Sequence, residues 1–134
     1  MAIDYGTKRI GIAVTDPLKM IASGLITVDS KEILKFLMDY VKKEEVECIV
    51  IGQPFNLDNT DSEMEKNIQT FLVNLIADFP AMKIERIDER FTSKIAHRAI
   101  IDAGIKKMDR RDKSLADKVS ATIILQSYLE CKKP

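Results

Sequence analysis

A chain of 134 residues, 46% hydrophobic and 31% charged, has the size and composition of one soluble globular domain with a real core. No apolar run approaches the ~20 residues needed to span a bilayer, and no basic-then-apolar leader opens the chain, so neither a membrane span nor a secretory signal is expected. The formal net charge of zero argues by itself against a nucleic-acid protein, but residues 1–80 carry 8 basic and 13 acidic side chains while residues 81–134 carry 13 basic and 8 acidic, an asymmetry that can make one face basic.

The first seventeen residues read as two antiparallel strands joined by the turn Tyr5–Arg9. Gly6 supplies the backbone freedom of a tight turn. Ile10, Ile12 and Val14 alternate with the small residues Gly11 and Ala13, the pattern of a strand packed closely on one face. Asp4 falls at the end of the first strand. A carboxylate beside a turn carrying Gly6, Thr7, Lys8 and Arg9 can hold a divalent cation, with the turn meeting phosphate. It can equally cap its own backbone.

Ala22–Val28 is expected to form a third strand. Asp29 or Ser30 then caps a helix whose apolar stripe is Ile33, Leu34, Leu37, Met38 and Val41. Cys48–Gly52 is a short continuous apolar run, the mark of a buried strand, and Cys48 is expected to be a buried thiol. Neither it nor the distant Cys131 has metal-like spacing, which suits a reducing cytoplasm. A polar loop through Asn56, Asp58, Asn59 and Thr60 leads to a second helix. Asp61 or Ser62 caps it, Met64, Ile68, Phe71, Leu72, Leu75 and Ile76 line its inner face, and Pro80 closes it. Lys83–Ile87 is the fifth strand and delivers Asp88, Glu89 and Arg90. Thr92 or Ser93 caps a third helix that ends at Gly104, and the lone histidine, His97, lies on its surface. The basic stretch Ile105–Lys113 precedes a last helix opened by Ser114, with Ala116, Val119, Ser120, Ile123, Ile124 and Tyr128 expected inward.

The order strand-strand-strand-helix-strand-helix-strand-helix-helix predicts an α/β fold with a mixed sheet, the fourth and fifth strands parallel to the first. Parallel sheets bind ligands at the carboxyl ends of their strands, and Asp4, Gly52 and Glu89 share that edge. A third carboxylate has to come from a helix across the sheet. Asp117, among Leu115, Ala116, Val119 and Ala121, is the candidate, although an acid in a first helical turn also complements the helix dipole.

Four segments in order carry a family resemblance. They are Asp4-Tyr5-Gly6-Thr7-Lys8-Arg9-Ile10-Gly11; Gly52-Gln53-Pro54 with Asn56; Asp88-Glu89-Arg90-Phe91-Thr92-Ser93; and Asp117 with Ala121, followed by Ile124-Leu125-Gln126-Ser127-Tyr128-Leu129. Over essentially its whole length the chain resembles the YqgF, or RuvX-like, family of bacterial ribonuclease-H-like proteins. It departs from the usual family pattern in having only three residues ahead of Asp4.

The resemblance implies a ribonuclease-H-like fold, a five-stranded mixed sheet flanked by helices, as one domain over residues 1–134. It implies a nuclease linked to maturation of the 5′ end of 16S ribosomal RNA, or a resolvase of four-way DNA junctions. The carried-over acids are Asp4, Glu89 and Asp117. Phosphodiester hydrolysis suits two Mg²⁺ or Mn²⁺ ions roughly 4 Å apart held by such acids, with Asp4 bridging and Glu89 and Asp117 on either side. Lys8, Arg9 and Arg90 are placed to meet phosphate near the metals. Lys106, Lys107, Arg110, Arg111 and Lys113 form either a clamp on the nucleic-acid backbone or a solvated loop.

The partner is then nucleic acid, RNA before DNA, for a cytoplasmic monomer or homodimer with no membrane role. Two other readings stand beside this one. The Asp4-Tyr5-Gly6-Thr7 hairpin is similar to the phosphate turn of actin-like ATPases, whose two lobes need more chain than this. A non-catalytic RNA-binding module is the other, against which clustered acids weigh because they repel phosphate.

Overall fold

The computed structural model describes residues 1–55, 58, 60, 62–89 and 113–132, the side chains of 113–115 excepted. The predicted third helix with His97 and Gly104, the loop residues Asn56 and Asn59, the capping candidate Asp61, and Arg90, Lys106, Lys107, Arg110 and Arg111 lie outside the described residues.

Five strands, β1 (Ala2–Asp4), β2 (Arg9–Thr15), β3 (Ala22–Asp29), β4 (Cys48–Gln53) and β5 (Lys83–Asp88), form one sheet in the order β3-β2-β1-β4-β5. The first three strands are antiparallel neighbours. β4 runs parallel to β1, and β5 parallel to β4. With helices α1 (Ile33–Lys43), α2 (Glu63–Asp78) and α3 (Lys113–Cys131) on its flanks, this is the mixed α/β architecture expected of a ribonuclease-H-like fold.

Side-chain size sorts the two faces of the sheet. Successive residues of a strand point to opposite faces. One face presents Ile3, Ile10, Ile12, Ile49 and Ile51, all fully buried with Leu37 of α1 and Ile68 and Leu75 of α2. The other presents Ala2, Ala13 and Val50, packed with Ala121, Ile124 and Leu125 of α3. Bulky branched residues hold two helices at a normal distance, whereas small ones let α3 lie directly on the strands.

Local chemistry sets the joints. The Asp29 carboxylate accepts the Lys31 N–H at 2.8 Å, so Asp29 rather than Ser30 caps the 3₁₀ turn Ser30–Glu32 that leads into α1. Ser30 instead ties the β1–β2 turn: its hydroxyl donates to the Thr7 carbonyl at 2.7 Å and its N–H to the Lys8 carbonyl at 3.0 Å. At the start of α2, Ser62 occupies the capping position, but its hydroxyl makes no capping bond. Asp58 and Thr60 build a local turn, the carboxylate accepting both the Thr60 N–H at 3.1 Å and its hydroxyl at 2.6 Å.

Several inward assignments need correction. Met38 and Ile76 are exposed, because each lies at the margin of a stripe wider than the strip of helix that touches the sheet. Glu65 is buried on α2 instead. On α3 the buried run is Ala121–Leu125 with Ser127, while Ala116 and Ser120 are exposed. The seam is Ala121, Ile124, Leu125 and Tyr128, a helical face rotated from the predicted one. Cys48 is half-buried and Cys131 exposed, both as free thiols. β3 is an edge strand, and Leu25 is the extra residue of a bulge: Ile12 faces Ile26 while Ala13 already faces Gly24.

Candidate active site

Asp4 ends β1 on the α3 face, because it alternates with Ala2. Directly across on β2 stands Gly11. A Cβ at Gly11 would lie 2.0 Å from the Asp117 carbonyl oxygen, so α3 crosses β2 in backbone contact at that point. The crossing brings Asp117 to the edge where Asp4 ends. On the other side of β1, Gly52 plays the same part for Glu89. A Cβ there would lie 2.9 Å from Glu89 Oε1 and 2.9 Å from Ile124 Cδ1. Two missing side chains thus make room for two acids on either side of a third.

The electrostatics register this convergence. The Asp4 carboxyl is pushed up to about 7, first by burial and then by the negative charges of Glu89 and Asp117, with a hydrogen bond to Ser120 opposing. Glu89 is raised as well, mainly by burial; the positive charge of Arg86 opposes this, and Asp88 and Glu65 add to it. Asp117 is engaged by Arg9, whose Nε donates to Oδ2 at 2.8 Å. Among the described residues no three His, Cys, Asp or Glu side chains stand in ready metal-holding geometry. The donor chemistry nevertheless fits a hard divalent cation. Asp4 is half-buried beside two further carboxylates, which resist its ionisation, and carboxylate oxygens are what Mg²⁺ and Mn²⁺ take.

The raised Asp4 value carries a pH dependence. A folded-state value of about 7 against an ordinary 3.8 means that the folded protein keeps this proton to higher pH than the unfolded chain. Stability in chelator therefore falls as pH rises from about 4 to 7, by on the order of 3–4 kcal/mol from this group. Urea unfolding in EDTA at pH 5 and pH 8 measures it, with the wild type expected to be weaker at pH 8. Equal stability at both would remove the carboxylate cluster.

Of the predicted basic residues, Lys8 and Arg9 are exposed at this edge. Arg9 faces Asp117 rather than standing open to phosphate. The side chain of Lys113 lies outside the described residues.

Sequence reasoning missed two residues beneath the site, Glu65 and Arg86, which form a bidentate ion pair with contacts of 2.7 and 2.9 Å. Glu65 shares helical spacing with Ile68, Leu72 and Leu75, so the signal was present as a charge on an apolar stripe. Ser120, expected only as an inward residue of the last helix, is exposed and hydrogen-bonds Asp4.

Residues 1–131 match the family model described as "RuvX: Holliday junction resolvase". A protein of Christiangramia forsetii, bearing the name "Putative pre-16S rRNA nuclease", is 57% identical over 129 residues, covering 96% of each chain. Proteins of the same name from Porphyromonas gingivalis and Bacteroides fragilis are 55% and 54% identical; they cover 97% and 99% of this chain and 94% and 96% of their own length.

Proposed function

This chain belongs to the RuvX family and is a nuclease, a hydrolase of phosphodiester bonds, and from that premise we propose that it cleaves with divalent metal at Asp4, Glu89 and Asp117, its substrate being the 5′ end of precursor 16S ribosomal RNA. The observation that carries the reading is the convergence of these three carboxylates at one sheet edge, expressed in the raised Asp4 value. Family membership over residues 1–131 leaves the actin-like reading without support.

Asp4, on the central strand of the sheet, would hold the metal together with Glu89 and Asp117. A divalent metal held there would supply Lewis-acid chemistry, lowering the pKa of a bound water and offsetting negative charge at the phosphate. The protein does the rest. Gly11 and Gly52 set the spacing of the acids, Ser120 orients the Asp4 carboxyl, and burial excludes bulk water from it. Arg9 must leave Asp117 for that carboxylate to serve as a ligand, and once released it stands with Lys8 where a phosphate would lie. Lys106, Lys107, Arg110, Arg111, Lys113 and Arg90 would hold the backbone, giving affinity without sequence choice.

None of the described helices is long and apolar enough to cross a membrane, and the rRNA-processing reading implies a cytoplasmic site of action. Junction resolution, from the family description, is the second reading. It demands paired cuts and therefore a dimer, whereas RNA trimming does not.

The test offers two substrates, a structured RNA with a precursor-like 5′ extension and a four-way DNA junction, each with Mg²⁺, Mn²⁺ or EDTA. Cleavage of the RNA that needs metal is the expected result. Cleavage of the junction alone turns the reading to resolution. Metal-independent binding of RNA, with neither substrate cut, would establish a binding module in its place.

A further inference from the structure

Glu65 is the charge whose burial most needs a reason. It sits on α2 in line with Ile68, Leu72 and Leu75 and is 5% exposed. A buried carboxylate survives only when paired and hydrogen-bonded. Its partner is Arg86, in the middle of β5 on the sheet face that α1 and α2 cover. Nη2 donates to Oε1 at 2.7 Å and Nη1 to Oε2 at 2.9 Å, a fork that fixes both side chains. Gln69, one helical turn on, donates its amide to Oε2 at 2.7 Å. The carboxylate is thereby satisfied and its charge held low in the carboxylate range.

The guanidinium does more than neutralise Glu65. Its Nη2 also donates to the Gly52 carbonyl at 3.0 Å and its Nε to the Ile51 carbonyl at 3.2 Å. One side chain of β5 therefore grips both α2 and the last buried residues of β4. A pair of apolar residues would hold α2 to the sheet as well, because a buried ion pair seldom adds net stability over a well-packed hydrophobic pair. What apolar residues cannot do is hold two backbone carbonyls in place. One of those carbonyls belongs to Gly52, the residue whose missing Cβ leaves the space for Glu89 Oε1 on the opposite face.

We infer that Arg86, clamped by Glu65, is a positioning residue of the nuclease site: it fixes the carboxyl end of β4 from behind the sheet, so that Gly52 offers Glu89 a rigid seat. The inference rests on the proposed metal-nuclease reading. It places the residue behind the acids rather than among them. Arg86 stands behind β4 and holds its backbone, and its positive charge also favours the ionised Glu89; Arg86→Lys keeps that charge and isolates the grip on the backbone. A lysine would keep the charge but not the fork. Its single nitrogen cannot serve a carboxylate and two carbonyls in the same plane.

The test uses two variants of the full chain, Glu65→Leu/Arg86→Leu and Arg86→Lys. Urea unfolding is measured for each, together with single-turnover cleavage of the RNA substrate with Mn²⁺ and calorimetric Mn²⁺ affinity in the absence of RNA. The double variant is expected to unfold at the wild-type midpoint, with KM unchanged, kcat lower by about 10- to 100-fold and Mn²⁺ affinity weaker by a similar factor. Arg86→Lys is expected to lose kcat and affinity in the same way with its charge intact. Wild-type kcat and Mn²⁺ affinity in a stably folded double variant would overturn the inference. Should the double variant fail to fold, the same result in Arg86→Lys overturns it. A wild-type protein that neither cleaves nor binds Mn²⁺ defeats the nuclease reading itself, and is recognised before any variant is compared.

Discussion

Asp4→Asn is expected to lower phosphodiester cleavage by about 10³-fold or more while making the metal-free protein harder to unfold at pH 8. The two effects have one cause. Asp4 is pushed up to about 7 because burial and the charges of Glu89 and Asp117 all oppose its ionisation. Asparagine keeps the shape and the hydrogen bonding to Ser120 but removes the charge that a divalent cation would compensate. A carboxylate that holds a catalytic metal is worth several kcal/mol of transition-state stabilisation, and about 4 kcal/mol corresponds to three decades of rate. At pH 8 the wild type holds an ionised carboxylate in an unfavourable place, a cost the neutral side chain does not carry. The variant's stability should therefore lack the fall between pH 4 and 7 attributed to this group. Single-turnover cleavage and urea unfolding in EDTA at pH 5 and pH 8 check both halves. A variant that still cleaves would remove Asp4 from the chemistry, and one less stable than wild type at pH 8 would deny the crowding of the acids.

Gly11→Ala is expected to destabilise the fold by about 3 kcal/mol or more and to disable cleavage with it. The added Cβ would stand 2.0 Å from the Asp117 carbonyl oxygen, 2.4 Å from its carbonyl carbon and 3.2 Å from its Cα. These are backbone atoms of a helix, and they cannot swing aside. α3 has to lift from the sheet by roughly 1 Å or more to restore ordinary contact. Lifting opens gaps between Ala121, Ile124 and Leu125 and the small face of Ala2, Ala13 and Val50, and it carries Asp117 away from Asp4. Gly24→Ala is the matched control. Its Cβ would meet Lys118 Cβ at 3.1 Å and Thr122 Oγ1 at 3.3 Å, mild contacts that a few tenths of an ångström relieve. Urea midpoints should therefore separate the two variants widely. Equal midpoints would mean that α3 does not cross β2 where Gly11 lies.

Which residues reach the site, and which only support it, follows from how far each depends on its own stretch of chain. Alternation along Ile10–Val14 and the apolar run Cys48–Gly52 are local patterns, and they predicted the strands, with the fourth and fifth parallel to the first as expected from the chain order. Asp4 follows from the same locality, whereas the choice of Glu89 over its neighbour Asp88 comes from the family resemblance. A strand's carboxyl end is a position in sequence, and parallel strands must end at one edge. Gly11 and Ala13 also signalled a close approach, because small residues alternating with isoleucine leave one face nearly flat.

Other features depend on pairs of elements that meet only in the folded state. The inward face of α3 is set by its crossing over Gly11, and the periodicity of Ala116–Tyr128 is compatible with more than one rotation about the helix axis. Met38 and Ile76 are apolar at helical spacing, yet they fall outside the strip that touches the sheet. Arg9 lies 108 residues from Asp117, so their pairing is invisible to any window along the chain. Glu65 stands out as a charge on an apolar stripe, but that its partner is Arg86 is visible only when α2 is laid on β5, 21 residues apart. The sequence by itself determined the strands, their directions and the edge at which Asp4 stands, because periodicity and chain direction are properties of each segment alone. Only the tertiary structure decided which helix face turns inward, which charges are buried and what Arg9 and Arg86 hold, because those depend on the crossing and register of elements far apart in the chain.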